Sequence, residues 1–309
     1  MHRLLQQLLR SGQDELDQCS MALSTCIWSI ECLWHFDPAD ASSWASAGNV
    51  VDHMQVVGKH VLKLVARCRQ EQSKERRQSK KRAPLKNNSL LSFSMPRKWR
   101  WSLPCELQIR TGKLLTESAL YMSMALSRFE EARDVLEIAL SIQTDGLLPP
   151  EEEMPSSYSL EARLGRSLAF TMHTAGKVSR YCGKFAEAAE FLQGALQLRG
   201  GATSLSSTSS YDIAATLHEL GVLHIKRAEW SIARDLLTKS LNMKRALAKQ
   251  TGNGDANSRS DIAKAMRFSE EAATLHQLAV VSILCKPRRL DLAEILLREA
   301  LQVMHDYDG

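Results

Sequence analysis

The chain has few of the residues that build tight turns, with 8 prolines and 15 glycines among 309 residues. This scarcity counts against a β-sandwich, which needs frequent turns. The 7 cysteines are an odd number and include no Cys-x-x-Cys pair, so we expect reduced, buried thiols rather than disulfides or metal ligands. The longest apolar stretch, residues 21–36, is interrupted by Glu31 and is shorter than the ~20 residues that cross a bilayer. The N-terminus has too short an apolar core for a secretory signal. These absences predict a cytoplasmic chain without a membrane span.

Sequence motifs for catalysis are also missing. Neither Gly58-Lys59 nor Gly112-Lys113 stands in a GxxxxGK[ST] loop, so nucleotide hydrolysis is not predicted. No Ser/His/Asp or Cys/His set sits in a recognisable motif, and the glutamates at 151–153 lie in a Pro-flanked loop where solvated carboxylates are expected. The sequence therefore predicts a protein that is not an enzyme, with no catalytic residue, no metal site and no cofactor.

The formal charge of +5 comes from one segment of the chain. Residues 63–100 carry 13 Lys or Arg against 2 Asp or Glu, which leaves the rest of the chain at a net charge of −6. The composition of residues 69–105 predicts a basic, disordered insertion. One interpretation is a nucleic-acid-binding or nuclear-localisation patch whose indoles stack on bases or sit at a membrane interface; the other is a solvated linker with a locally packed Trp pair. The candidate residues of this basic patch are Arg76, Arg77, Lys80, Lys81, Arg82, Arg97, Lys98, Trp99, Arg100 and Trp101.

Four stretches share one helical pattern: residues 128–140, 183–196, 229–241 and 290–301. Each places an aromatic residue or Leu three residues before a small residue, Leu four residues after it, and then another small residue and Leu. This spacing forms one apolar helix face with small residues where a neighbouring helix approaches closely. Upstream of the last two stretches lie the similar hexapeptides Thr-Leu-His-Glu-Leu-Gly and Thr-Leu-His-Gln-Leu-Ala. The order of patterns predicts helix, short turn and helix.

This pattern resembles the tetratricopeptide repeat, a helix–turn–helix unit with small residues where its two helices cross. The resemblance covers about residues 106–309 and implies four repeats, at approximately 113–143, 169–199, 214–245 and 272–305. It implies an all-α fold, a right-handed helical-repeat solenoid preceded by a short helical region at 1–68. The positions that match the repeat core are Gly176, Ala188, Leu217, Leu220, Gly221, Ala233, Leu275, Leu278, Ala279 and Ala293.

Two narrower resemblances concern the third repeat and the segment before the array. Residues 212–221 are similar to the start of the longer repeats of kinesin light chains and nephrocystin-type proteins, although the His-Pro that precedes them there is absent. Residues 28–66, a helix, a Pro-containing turn and another helix, resemble the segment that precedes the repeats in signalling NTPases of the NB-ARC/NACHT kind. The second resemblance implies that the chain is the regulatory remnant of such an NTPase.

A stack of helix pairs presents a concave surface lined by the first helix of each pair, and such a surface binds peptides. Three histidines stand at the same position of the first helix in successive repeats, where the resemblance to kinesin light chains implies a residue that holds a peptide backbone. Neutral imidazoles can both donate and accept hydrogen bonds, and they gain charge below pH ~6.5. The alternative is that these are ordinary polar surface residues. The groove candidates are His173, Lys177, Arg180, His218, Lys226 and His276.

The sequence as a whole favours a non-catalytic adaptor or scaffold that binds a peptide or protein segment in the groove of the repeat array, and the nearby lysines and arginine would suit an acidic one. The alternatives are a nucleic-acid-associated or nuclear protein that acts through residues 63–100, and the NTPase remnant. The second helix of the last repeat is followed by no obvious polar capping helix, so we expect an apolar end there; either the chain is truncated, more repeats follow, or self-association covers this end.

Overall fold

The computed structural model describes residues 16–37, 40–81, 105–145, 158–201, 207–251 and 258–308. Within these residues the chain is all-helical, with ten α-helices, one short 3-10 helix at Ala41–Ser43 and no strand. The α-helices are α1 (Leu16–Leu33), α2 (Trp44–Lys81), α3 (Cys105–Met124), α4 (Phe129–Asp145), α5 (Tyr158–Tyr181), α6 (Phe185–Gly201), α7 (Ser207–Lys226), α8 (Trp230–Thr251), α9 (Ser258–Leu284) and α10 (Leu290–Asp308).

The helices form a helical-repeat solenoid of tetratricopeptide-like pairs. The first repeat is α3–α4, the second α5–α6, the third α7–α8 and the fourth α9–α10, each a helix–turn–helix unit. The chain divides into two compact units, Met1–Thr171 and Met172–Gly309, with the division inside α5. The predicted all-α repeat fold is therefore confirmed.

In the first unit, α1 and α2 pack against each other and against the first repeat. Gly58 of α2 lies so close to α3 that a Cβ there would stand 2.7 Å from a methyl group of Leu115, so a larger residue would require the Leu115 side chain or the helix to shift. The Arg110 guanidinium of α3 also binds the Glu31 carboxylate of α1, with Nε 3.0 Å from Oε2. The N-terminal helices are thus held to the repeats by both packing and an ion pair.

In the second unit, small residues set the distance between the two helices of a repeat. A Cβ on Gly176 would stand 2.5 Å from Cγ of Leu192, and a Cβ on Gly221 would stand 2.6 Å from Cγ of Leu237. Both contacts are too close for a larger residue unless the second helix moves. Leu192 and Leu237 are fully buried, so this crossing lies at the centre of each repeat.

The turn inside each of the first three repeats contains one residue with a left-handed backbone: Ser127 with φ 55°, Gly183 with φ 74° and Ala228 with φ 58°. In the third repeat the amide of Ala228 bonds the Ile225 carbonyl at 3.0 Å, and the next amide bonds the carbonyl of His224 at 2.9 Å. These bonds satisfy carbonyls at the helix end, which is the usual function of a left-handed cap. The turn of the fourth repeat is longer and contains a cis peptide bond between Lys286 and Pro287.

Some of the predicted boundaries differ from the observed helices. The first helices of the second and fourth repeats begin at Tyr158 and Ser258, well before the predicted starts at 169 and 272. Helix α2 continues to Lys81, so disorder over residues 69–81 was a wrong prediction. Residues 69–81 contain no Gly or Pro and are rich in Gln, Lys, Arg and Glu, which favour a helix. The rest of the predicted insertion, residues 82–104, lies outside the described residues, as do residues 1–15. None of the helices that the structure describes is long and apolar enough to span a membrane.

Candidate functional site

Two of the three predicted groove histidines bond the first helix of the following repeat. Nδ1 of His218, in α7, lies 3.0 Å from the Thr274 hydroxyl of α9, and Nδ1 of His173, in α5, lies 3.3 Å from the Thr216 hydroxyl of α7. Each threonine hydroxyl donates to a backbone carbonyl four residues earlier in its own helix, at 2.8 Å in both cases. Since a hydroxyl has one proton, the imidazole donates Nδ1–H to the threonine oxygen of the His218 pair, which sets its tautomer.

A buried cation from the second helix of the same repeat completes each contact. Lys244 of α8 donates from Nζ to the Thr274 hydroxyl and to the Glu270 carbonyl, both at 3.0 Å, and lies 3.3 Å from the Glu270 carboxylate. Arg199 of α6 donates to the Asp212 carbonyl at 2.7 Å and to the Thr216 hydroxyl. Imidazole, hydroxyl and cation therefore form the same polar contact twice, between the second and third repeats and between the third and fourth. We call each of these contacts a polar rung.

The first repeat uses the same positions with uncharged side chains. The hydroxyls of Thr116 and Thr171 lie 2.8 Å apart, and Thr116 stands three residues before Ala119 just as His173 stands three residues before Gly176. Gln143, which corresponds in register to Arg199 and Lys244, donates to Ser167 at 2.8 Å. The position of the rung is thus retained while its chemistry varies.

The histidines of the polar rungs do not become charged at mildly acidic pH. Burial, with a smaller contribution from the Arg199 charge, lowers the pKa of His173 to about 3, although Glu219 opposes this shift. Burial likewise lowers the pKa of His218 to about 4; the Glu219 charge opposes this shift and the Lys244 charge adds to it. The expectation that these two imidazoles gain charge below pH ~6.5 was therefore wrong, because they are withdrawn from water between repeats.

Four of the six groove candidates surround one buried carboxylate, that of Glu219. Burial would raise the pKa of Glu219, but the charges of Arg180 and Lys177 and the two nearby histidines outweigh it, so the pKa lies below its ordinary value. Arg180 makes the closest contact, an ion pair at 2.9 Å in which the two side chains are 9% and 11% exposed. The predicted cationic side chain of Arg180 is therefore already neutralised within the protein.

The same arginine holds an exposed aromatic ring. The Arg180 guanidinium lies 4.5 Å from the ring centre of Tyr181, the last residue of α5, which is 51% exposed. Lys177 is half-buried one turn earlier in α5, and Lys226 is exposed at the equivalent last position of α7. Sequence reasoning found the cations but missed Tyr181 and Glu219, because no repeat pattern distinguishes these two positions.

The remaining predicted residues fall into three groups. His276 is exposed on α9, with Nδ1 3.5 Å from the side-chain amide of Gln277. Helix α2 contains Arg76, Arg77, Lys80 and Lys81, but their side chains are not among those that the structure describes. Outside the described residues lie Arg82 and residues 97–101. The ten predicted repeat-core residues are all buried: Gly176, Ala188, Leu217, Leu220, Gly221, Ala233, Leu275, Leu278, Ala279 and Ala293.

The fourth repeat leaves an apolar face exposed. Leu301 and Leu297 of α10 occupy the register positions of Leu241 and Leu237 in α8, which pack against α9. Leu241 is 5% exposed, whereas Leu301 is 70% exposed. Met304 stands where Arg199 and Lys244 supply the cation of a polar rung. Self-association through this face stays a prediction.

In the part of the chain that the structure describes, no group of three or more His, Cys, Asp or Glu residues is arranged to hold a metal ion. The described cysteines form no disulfide bond with one another, and Cys19, Cys26 and Cys68 are buried whereas Cys32 is exposed. Burial raises the pKa of the Cys26 thiol, which keeps it protonated and unreactive.

Comparison with known proteins gives a structural likeness alone. No protein-family model matches the chain, and no curated protein matches it. Among solved structures, the chain is similar to the crystal structure of BtubC (BKLC) from P. vanneervenii, with a TM-score of 0.48 and 14% sequence identity over 96% of this chain and 93% of that chain. The kinesin light chain or nephrocystin subfamily, the likeness to NTPase pre-repeat segments and the cytoplasmic or nuclear localisation stay predictions.

Proposed function

We propose that the repeat array is a non-catalytic adaptor that binds an acidic peptide or protein segment across the first helices of the second and third repeats. The observation that supports this most is the exposed ring of Tyr181, held in place by Arg180, which is itself fixed by the buried ion pair with Glu219. A rigid, half-exposed aromatic side chain next to an arginine is the usual composition of a binding hot spot. Little conformational entropy is lost when a ligand packs against a ring that is already fixed.

The preference for an acidic ligand rests on the lysines near this ring. Lys177 and Lys226 belong to the same two helices as Arg180 and Glu219, and Glu219 neutralises one cation of this set. The two lysines therefore remain to attract carboxylates of a ligand, while His173 and His218 are neutral and hold the helices in register. His276, which is exposed on the next first helix, is a candidate for a further contact.

The proposal is tested with the full chain and a library of fluorescently labelled peptides, graded from acidic to basic, in a polarisation assay. We expect acidic peptides that contain an apolar residue to bind best. Tyr181→Ala should weaken binding on the order of 10-fold or more, as expected for truncation of a hot-spot residue. Lys226→Glu should weaken binding and reduce its dependence on salt.

Matched controls lie on α8. Lys239→Glu makes the same charge change at an exposed position of a second helix, and Ile232→Ala removes an exposed apolar side chain there. Both variants should bind as the wild type does. Equal binding by Tyr181→Ala and Ile232→Ala, or by Lys226→Glu and Lys239→Glu, would contradict this location of the site.

A further inference from the structure

We propose that the C-terminal part of α2, residues 69–81, binds double-stranded nucleic acid through the phosphate backbone. This function is separate from the proposed peptide site, and the two are tested with different ligands. We call residues 69–81 the basic helix. Its helical state is what distinguishes the proposal from a basic disordered linker.

The basic helix continues beyond the packed part of α2. Among the described side chains of α2, Cys68 is the last buried one, and Arg69, Gln70, Ser73 and Lys74 after it are exposed. The helix is maintained there by local interactions, including an ion pair of 2.6 Å between Lys74 and Glu71. A helical segment whose described side chains after Cys68 are mostly exposed can enter a groove of a partner.

The charge of the basic helix favours a polyanion. Residues 69–81 contain six Lys or Arg and two Glu, a net charge of +4. By helical periodicity, positions 76 and 80 lie one turn apart, and positions 77 and 81 lie one turn apart on the neighbouring face. Cations on adjacent faces of one helix suit a groove with phosphates on both sides, and the major groove of B-DNA, ~12 Å wide, admits an α-helix.

The composition of the basic helix argues against a membrane surface as its partner. Helices that lie in a membrane interface bury an apolar stripe of Leu, Phe or Trp among the lipid chains. Residues 69–81, Arg-Gln-Glu-Gln-Ser-Lys-Glu-Arg-Arg-Gln-Ser-Lys-Lys, contain no apolar residue. The glutamines and serines, by contrast, are side chains that commonly bond phosphate oxygens.

Binding to a polyanion should also stabilise the basic helix. Like charges one turn apart on a helix repel each other and destabilise it. Positions 76 and 80 form one such pair, and positions 77 and 81 form another. Neutralisation by phosphates relieves this repulsion, so amide hydrogens of residues 69–81 should exchange more slowly in the complex than in the free protein.

The test uses the full chain and a fluorescein-labelled 20-base-pair DNA duplex, with an RNA duplex of the same sequence in parallel. The variant R76Q/R77Q/K80Q/K81Q removes four positive charges from the basic helix. We expect its affinity at 0.1 M salt to fall on the order of 10²-fold, and the slope of log K against log salt to decrease by about 2–4, since each lost phosphate contact lowers it by ~0.9. The duplex, RNA or DNA, for which the chain has the higher affinity indicates which kind of nucleic acid the basic helix recognises.

Two further variants keep the test specific. R128Q/R234Q/K239Q/R298Q removes the same charge from exposed positions of the repeats and should bind DNA as the wild type does. Ser73→Pro leaves the charge unchanged but breaks the helix outside the packed core, so it should weaken binding without lowering the melting temperature.

Three results would overturn the proposal. The first is equal loss of affinity in the two quadruple variants, and the second is full DNA binding by Ser73→Pro, which would indicate a flexible basic tail. The third is a greater effect of the R76Q/R77Q/K80Q/K81Q variant on vesicles of phosphatidylcholine and phosphatidylserine than on either duplex.

Discussion

Nδ1 of His218 lies 3.0 Å from the hydroxyl oxygen of Thr274, across the junction between the third repeat and the fourth. The same oxygen accepts a hydrogen bond from the buried Lys244 ammonium, also at 3.0 Å. One hydroxyl therefore joins three helices, α7, α8 and α9, and compensates for burying a charge. An imidazole column that resembles a ligand-binding feature in sequence is, at these two positions, a structural element of the repeat stack.

Replacement of Thr274 by valine should destabilise the protein. The change keeps the shape of the side chain but leaves Lys244 and His218 without their shared acceptor, and an unsatisfied buried polar group costs about 1–3 kcal/mol. Thr238→Val makes the same change at an exposed position of α8 and should alter stability by less than about 0.5 kcal/mol. Urea unfolding measures both variants, and equal midpoints would show that the polar rung contributes no stability.

The stability of the protein should decrease as the pH falls from 7 to 5.5. The pKa values of His173 and His218 in the folded state are about 3 and about 4, below the ordinary value of 6.5, so the folded state binds fewer protons than the unfolded state. Between these pH values each histidine should cost about 1 kcal/mol of unfolding free energy. The loss begins near pH 6.5 and continues as the pH approaches the folded-state pKa.

The double variant His173→Gln/His218→Gln should have a flatter stability profile over this pH range, as measured by urea unfolding at each pH. His276→Gln, the same substitution at an exposed position, is the control and should follow the wild-type profile. A profile that remains equally steep in the double variant would assign the pH dependence to other groups.

Exchanges between alanine and glycine at two left-handed turn residues should change the stability of the protein in opposite directions. Ala228 adopts φ 58°, which is unfavourable for a residue with a Cβ, so Ala228→Gly should stabilise the protein by about 0.5–1 kcal/mol after the entropy of glycine is counted. Gly183, with φ 74°, has no atom within 4 Å of an added Cβ, so Gly183→Ala should cost about 1 kcal/mol through the backbone alone. Thermal unfolding should show shifts of opposite sign, and shifts of the same sign would contradict this interpretation.

Leu241 and Leu301 occupy the same register position of the repeat but have different surroundings. Leu241→Ala should cost about 2–5 kcal/mol because it opens a cavity against α9. Leu301→Ala should cost less than about 0.5 kcal/mol because Leu301 is 70% exposed. Urea unfolding at low protein concentration compares the stability of the two variants. A large loss of stability in Leu301→Ala would mean that Leu301 is buried in solution. Sedimentation of Leu301→Asp beside the wild type tests the predicted self-association.

The fold was accessible from the sequence because its determinants are local. The small residue Gly221 and its partners Ala233 and Leu237 lie within one helix pair, so their spacing alone predicts the crossing. The polar rungs were not accessible, because His173 and Thr216 are 43 residues apart and His218 and Thr274 are 56 apart. Their contact depends on how one repeat stacks on the next, which the pattern within a repeat does not specify.

Two signals in the sequence pointed to the rungs without identifying them. The tripeptide Thr-x-His recurs at 171–173, 216–218 and 274–276, and a cation follows the small residue of the second helix by eleven positions at both Arg199 and Lys244. The starts of α5 and α9 were missed for a different reason. The repeat pattern specifies where two helices cross but not how far the first helix extends before the crossing, and Leu160 and Leu164 of α5 and Ile262 and Met266 of α9 continue the four-residue apolar spacing upstream.

Met304 limits how far the repeats of this protein are interchangeable. Arg199 and Lys244 each bond the backbone of the next first helix, so the second and third repeats offer an incoming unit equivalent hydrogen-bond donors. A copy of α9–α10 grafted behind residue 308 would meet a thioether instead, which donates no hydrogen bond. Engineering of a longer array from this chain would therefore begin with Met304→Lys, which restores a donor at the junction before any new module is added.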